Sequence, residues 1–172
     1  MNIRKATAKD LPALGIMYQA IIADMEKHDI RIWDDVYPFQ AFIEDIKEKR
    51  LYVLEEENEL LCAFALCVTT GGIETMKWAE PNAEARYIER LGVNVSHLRK
   101  GIGAKALRMA MSLSKEEGAS YLRLFVVDKN KPAIDLYRKV GFDQVKGLYQ
   151  KFIFGDFLLT EYGFEIATDK CR

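Results

Sequence analysis

The stretch Arg99-Lys100-Gly101-Ile102-Gly103-Ala104 carries the clearest chemistry in the sequence, and Ser96-His97-Leu98 joins it to an apolar run that ends at Val95. Glycines at the start of a helix let backbone N–H groups approach an anion, and the helix dipole favours the negative charge. Arg99 and Lys100 place formal positive charge at the same end, where it opposes the dipole unless an anion is present. The Gly-x-x-x-x-Gly-Lys-Ser/Thr spacing of a P-loop is absent. The permissive dinucleotide spacing Gly-x-Gly-x-x-Gly/Ala is met by Gly101, Gly103 and Ala106, and Asp128 stands after the next strand, where a ribose-binding acid would sit. Against a dinucleotide fold, the glycines begin six residues after Val95, and the unit lies mid-chain behind a β-hairpin. Two glycines that merely allow tight strand–helix packing are the alternative without a ligand.

The elements that must position this stretch follow from periodicity. A short strand over residues 2–5 precedes a helix over 8–27, opened by Thr7 and Asp10 at capping-box spacing and lined by Leu11, Leu14, Met17, Ile21 and Met25. A second helix starts at Pro38, shows Phe39, Phe42, Ile43 and Ile46 on one face, and ends near Arg50. Apolar runs over 51–56 and 60–69, separated by Glu57-Asn58-Glu59, read as a hairpin. Residues 71–84 show no period and read as a long loop, 85–95 as a strand, and 101–117 as a well-buried helix stopped by Gly118. A strand over 121–127 leads through Asp128-Lys129-Asn130 into a helix with Pro132 in its first turn and Gly141 as its left-handed stop. Strands over 144–152 and 158–166 close the chain, giving one domain over 1–172 with a mixed sheet and helices on its faces, an α/β fold.

Composition narrows the partners. Lysine and arginine number 25 against 26 aspartate and glutamate, a net charge of −1, so the basic excess of a phosphate-backbone binder is missing and nucleic acid is not expected. The apolar fraction of 49% with 30% charged residues is that of a chain that folds. Three cysteines, Cys62, Cys67 and Cys171, match neither a zinc clip nor a redox pair, and two histidines make a histidine-rich metal site improbable. No signal-peptide pattern opens the chain and no window reaches the ~18 apolar residues of a membrane span, so a soluble cytoplasmic protein without metal or membrane is expected.

Two stretches carry a family resemblance. Residues Tyr87 to Gly103 are similar, without a gap, to the strand, pyrophosphate loop and helix of the GNAT superfamily of acyl-CoA-dependent N-acetyltransferases. Residues Asn130 to Phe142 resemble that family's Asn-x-x-Ala-x-x-Leu-Tyr-x-x-x-Gly-Phe segment. The element order also resembles the family's, which implies a single-domain, mixed, largely antiparallel β-sheet flanked by helices on both faces. One departure is Leu98, which stands at the family's usual Gln/Arg position, with Arg99 one residue late. Because such a cradle is mainly backbone N–H, the departure need not abolish binding.

The resemblance implies acetyl-CoA as co-substrate, held by Leu91, Gly92, Val93, Leu98, Arg99, Lys100, Gly101, Ile102, Gly103, Ala104, Asn130, Ala133 and Tyr137. It places the thioester beside Leu91-Gly92-Val93, with the Val93 N–H polarising the carbonyl, and it aligns Tyr137 with the tyrosine that protonates the leaving thiolate. A phenol of pKa ~10 beside a thiol of ~8.5 is a serviceable acid. Core packing for Tyr137 and helix capping for Asn130 are the alternatives. Period-two alternation puts Glu89 on the face of Leu91 and Val93, where an acid could orient the amine or take its proton through water, and Arg90 on the other face. The acceptor, a small-molecule or peptide amine, is expected beside residues 28–37 with Trp33, Asp34 and Tyr37, the loop with Glu74 and Trp78, and the segment from Asp156 to Glu161. Aromatics beside carboxylates suit a cationic amine. A non-catalytic acyl-CoA sensor and a dinucleotide-dependent oxidoreductase are the competing function classes, and exposed C-terminal strands are compatible with a homodimer.

Overall fold

In the computed structural model, which describes residues 1–153 and 157–170, the first helix is set by a local carboxylate. Asp10 accepts the Thr7 N–H at 2.7 Å and the Thr7 hydroxyl at 3.1 Å, part of the capping box that the Thr7–Asp10 spacing predicts. Arg4, on strand β1 (Asn2–Lys5), grips the same carboxylate with bonds of 2.9 and 2.8 Å. This pairing holds the Asp10 carboxyl down at about 2. Helix α1 (Leu11–Lys27) then buries Leu14, Met17, Tyr18 and Ile21.

Helix α2 (Phe39–Lys47) turns a different face inward from the one expected. Phe42 and Asp45 are its buried residues, whereas Ile43 is 63% exposed. Strands β2 (Leu51–Glu56) and β3 (Glu59–Cys67) form the expected hairpin. Its loop is shorter than the sequence suggests: Glu57 and Asn58 have φ of 50° and 66°, the two left-handed residues of a tight hairpin turn that matches strand twist.

The predicted loop over 71–84 carries structure of its own. Ile73–Thr75 make one 3-10 turn, and β4 (Met76–Lys77) pairs with β8 (Lys146–Gly147). Strand β5 (Ala85–Val93) stops before Val95 because Asn94 accepts the Ser96 N–H and starts a 3-10 turn. Helix α3 (Ile102–Glu116), strand β6 (Tyr121–Val127) and helix α4 (Lys131–Val140) lie as predicted, with Gly141 left-handed at φ 105°. The expected strand over 144–152 is divided into β7 (Asp143–Gln144), β8 and β9 (Tyr149–Ile153), and β10 (Phe157–Ala167) follows. Gly147 is where the run turns aside: its φ is 126°, and a Cβ there would come within 2.3 Å of the Thr75 carbonyl.

The chain forms two compact units, residues 1–66 with 89–109, and residues 67–88 with 110–172, so β5 and α3 each pass from one to the other. In the first unit the strand order is β1-β2-β3-β5, and in the second β5-β6-β10-β7, with β9 also on β10. The ladders of β1 with β2, β2 with β3, β4 with β8, and β10 with β6, β7 and β9 are antiparallel, whereas β5 and β6 run parallel, with a register from Ala85↔Tyr121 to Ile88↔Leu124. The fold is therefore mixed α/β, with a largely antiparallel sheet flanked by helices. The first core gathers Leu14, Tyr18, Phe42, Leu51, Leu54, Phe64 and Leu61, and the second Leu122, Leu124, Phe164 and Ile134, all at most 3% exposed. Among the described residues, no helix is long and apolar enough to cross a membrane. Asp156 and Cys171 lie outside the described residues.

Candidate functional site

The predicted cradle follows directly from β5 in the first unit. Leu98 has φ −59°, Arg99 +62° and Gly101 +79°, a reversal of backbone handedness within four residues. Such reversals turn consecutive N–H groups toward one concave side. Lys105 is the first N–H to close onto Gly101 O, at 3.0 Å, so the N–H groups of Gly101, Ile102, Gly103 and Ala104 precede the helix's own ladder. A Cβ at Gly101 would meet nothing within 4 Å, so glycine is needed there for its left-handed φ and not for room. Leu98, Arg99, Lys100 and Gly101 are exposed, while Ile102 anchors the helix end in the core. His97 is paired with Glu59 at 3.1 Å.

Upstream, β5 breaks its alternation. Arg90 has φ 54°, left-handed backbone within a strand, so Glu89 and Leu91 do not simply share a face as period two implies. The Glu89 carboxylate instead pairs with the Arg90 guanidinium at 2.5 Å. Arg90 also donates to both oxygens of Asp45, at 2.8 and 3.0 Å, and to the Tyr37 hydroxyl at 3.2 Å. Burial works against its charge, but Tyr37, Glu89 and Asp45 outweigh that and hold the guanidinium above its ordinary pKa. The Tyr18 hydroxyl donates to Arg90 O at 2.5 Å, with Ala63 O at 3.2 Å, and burial pushes its pKa well up. A Cβ at Gly92 would meet the Tyr18 ring at 2.7 Å, so glycine is required there for close approach.

In the second unit, Asn130 caps α4 by accepting the Ala133 N–H at 3.3 Å. That bond uses Oδ1 and leaves the amide donors unspent by the cap. Tyr137 is 7% exposed, with its ring tilted against Phe142 and Phe164, each at 6.0 Å.

Residues 17–142 match the acetyltransferase (GNAT) family. The chain belongs to that family. An N-alpha-acetyltransferase of Sulfurisphaera tokodaii is 29% identical over 123 residues, 70% of this chain and 73% of that protein. A GNAT-family acetyltransferase structure from Streptococcus agalactiae superposes with a TM-score of 0.80 at 17% identity, covering 96% of this chain and 94% of that one. The structure of yncA from Salmonella typhimurium, determined with its cofactor acetyl-CoA, gives 0.68 at 16% identity over 98% of this chain and 94% of that one. Family membership makes the chain an acyltransferase enzyme that performs acetyl transfer. The oxidoreductase reading gives way.

Within this GNAT chain, several acceptor-side expectations change. Trp78 is 5% exposed: its indole N–H donates to Ile73 O at 2.9 Å, its ring meets Tyr87 and Phe125 edge-on, and the Arg123 guanidinium lies 4.7 Å over it. The ring is thus packed against residues of β5 and β6. Asp34 accepts the N–H groups of Val36 and Tyr37 at 2.8 and 2.7 Å, so its carboxylate closes its own turn. Trp33 leans on Tyr18 with ring centroids 5.4 Å apart, and Tyr37 is 42% exposed while bonded to Arg90. Of the C-terminal candidates, Glu161 is buried and paired with Lys151 at 3.2 Å.

Sequence reasoning missed Asp45 and Tyr18 altogether and left Arg90 without a partner. A signal for Asp45 existed: it stands three residues after Phe42, on the apolar stripe of a helix, and an acid buried there requires a cation.

Proposed function

We propose that the chain is a single N-acetyltransferase domain moving an acetyl group from acetyl-CoA to a primary amine of a small molecule or peptide. The observation that carries this reading is the backbone of residues 98–104, where a reversal of handedness leads into a helix N-terminus beside two cations in sequence, Arg99 and Lys100, a combination suited to an anion. Arg99 and Lys100 supply formal charge to the pyrophosphate, and Leu98 contributes backbone only. Leu91 and Val93 carry the pantetheine arm beside Gly92, and the Val93 N–H faces the charge that develops on the thioester oxygen. Asn130 offers its amide donors to the arm, with Ala133 beside it on α4. Tyr137 supplies the proton to the departing thiolate.

The amine must lose a proton before or during attack. Glu89 is the group for this role: Arg90 anchors one side of its carboxylate, and its side chain is 25% exposed. Tyr37 and Trp33 border the acceptor, with Asp34 holding the turn that carries Tyr37. Acyl transfer to an α-amine is the activity named for the Sulfurisphaera tokodaii relative, so peptides with free N-termini head the acceptor screen.

The test begins with calorimetric titration of acetyl-CoA against NADH and NADPH. Saturable binding of acetyl-CoA alone is expected. Thiol release on adding short peptides and small primary amines then measures turnover. Tyr137→Phe should lower kcat by about a hundredfold, far more than it weakens acetyl-CoA binding. Nucleotide binding without acetyl-CoA binding would overturn the reading.

A further inference from the structure

We propose that Asp45 and Arg90, with the Tyr18 hydroxyl, form a positioning device that holds the left-handed kink of β5 and thereby fixes how Leu91–Val93 meet the acyl-bearing arm of the co-substrate. The inference rests on the acetyl-CoA reading above and adds to it residues on two helices, α1 and α2.

Among the described residues, Arg90 is the one non-glycine with positive φ inside a strand; Asp29, Lys49, Glu57, Asn58 and Arg99 all lie in turns or loops. A side chain in that conformation is unfavourable and persists only where its surroundings over-determine it. Three contacts do so. The Tyr18 hydroxyl holds the Arg90 carbonyl at 2.5 Å. Both oxygens of Asp45, itself 0% exposed, take Nε and Nη2 of the guanidinium. The remaining arm, Nη1, reaches Glu89 and Tyr37. Asp45 is braced in turn by Arg50 Nε at 2.7 Å, so its carboxylate is committed to this junction.

The geometry runs straight into the proposed acyl site. Tyr18 not only holds Arg90 O but lies against Gly92, two residues on, with its ring where any larger side chain would project. The kink and the packing of the next residues thus depend on the same side chains. Stability alone does not call for this arrangement, because a buried ion pair is often no more stabilising than apolar residues of similar volume. A fixed geometry for the strand does call for it.

The test compares two probes on the full chain: acetyl-CoA, and adenosine 3′,5′-bisphosphate, which lacks the arm and the acyl group. The double variant Asp45→Leu/Arg90→Met replaces the pair by apolar side chains and should remain folded. Acetyl-CoA should bind about tenfold more weakly to it, with the bisphosphate Kd unchanged within about twofold. Amide exchange at Gly92 and Val93 should quicken. Arg90→Lys keeps the charge but not the two-pronged grip, and it should show the same selective loss at smaller size, so the proposal stays testable if the double variant unfolds. Equal weakening of both probes, or unchanged acetyl-CoA affinity in a folded variant, would overturn the positioning role. A wild-type chain that binds the bisphosphate but not acetyl-CoA would overturn the acyl-site reading and this proposal with it.

Discussion

Gly92→Ala puts a single methyl group against a wall that cannot retreat. The new Cβ would lie 2.7 Å from Tyr18 Cζ, 2.8 Å from its hydroxyl oxygen and 2.9 Å from Cε1. Tyr18 is 0% exposed, its ring is packed edge-on against Phe42 at 4.7 Å and tilted against Trp33, and its hydroxyl is bonded to Arg90 O. Relief therefore requires either the ring or the strand to move. Overpacking of this kind costs about 1–3 kcal/mol, and in a chain of this size each kcal/mol shifts Tm by roughly 2–4 °C. The expected loss is thus roughly 2–12 °C in a thermal melt followed by circular dichroism. In a Tyr18→Leu background the same substitution should cost far less, and the cycle should return a coupling of about 1 kcal/mol or more. A Gly92→Ala protein that melts with the wild type, or one equally destabilised in both backgrounds, would refute the steric account of this glycine.

Acid should expose the Arg4–Asp10 pair. The Asp10 carboxyl is held at about 2 against 3.8 in the unfolded chain, so the stabilisation is full above pH 4 and lost as the pH falls toward 2. Guanidinium melts should find Asp10→Asn less stable than wild type at pH 7, with the gap closing between about pH 4 and pH 2. Arg123→Met should cost about 3–5 kcal/mol in the same assay, because it strips the cation from the buried Glu165 carboxylate now 3.1 Å away. Gly101→Ala meets no neighbour within 4 Å but must adopt φ 79°, so it should cost only about 1 kcal/mol in stability. Its acetyl-CoA affinity, measured by calorimetry, should fall by about tenfold or more, since the turn that orients the cradle N–H groups depends on that left-handed φ.

What the sequence disclosed about this fold was local. The Thr7–Asp10 cap, the Asn130 cap with Pro132 and the Gly141 stop each depend on residues a few positions apart, and all three are present. The helix over 102–116 and its glycine-bearing start were legible for the same reason. The strand after Gly141 was not, because its division depends on Gly147 pressing against Thr75 and Met76, about seventy positions earlier in the chain. The surroundings of Trp78 were out of reach in the same way: an aromatic in a long loop can border a site or cap the core, and Arg123 and Phe125, which pack against it, stand on a distant strand.

The charged junction at Arg90 shows most plainly why spacing alone falls short. Alternation along β5 assumes that each residue advances the strand by the same half-turn, and that assumption holds only where φ stays negative and extended. At Arg90 it fails, and the failure is sustained by Tyr18 and Asp45, which stand 72 and 45 positions earlier in the chain. No window of β5 contains either of them. One trace of the junction does survive in sequence: Asp45 interrupts an otherwise apolar helical face, and a buried acid without a cation would be costly enough to shift its protonation or unfold the helix. Asking which arginine could answer that acid would have offered Arg50 at i+5 first, and Arg50 does bond it, at 2.7 Å. The second arginine emerges when both carboxylate oxygens are counted, since Arg50 bonds Oδ1 through Nε and Arg90 reaches both oxygens, Oδ2 through its own Nε. Accounting for each polar atom of a buried acid, rather than for the acid as a unit, is therefore what links α2 to the strand on which acyl transfer is proposed to depend.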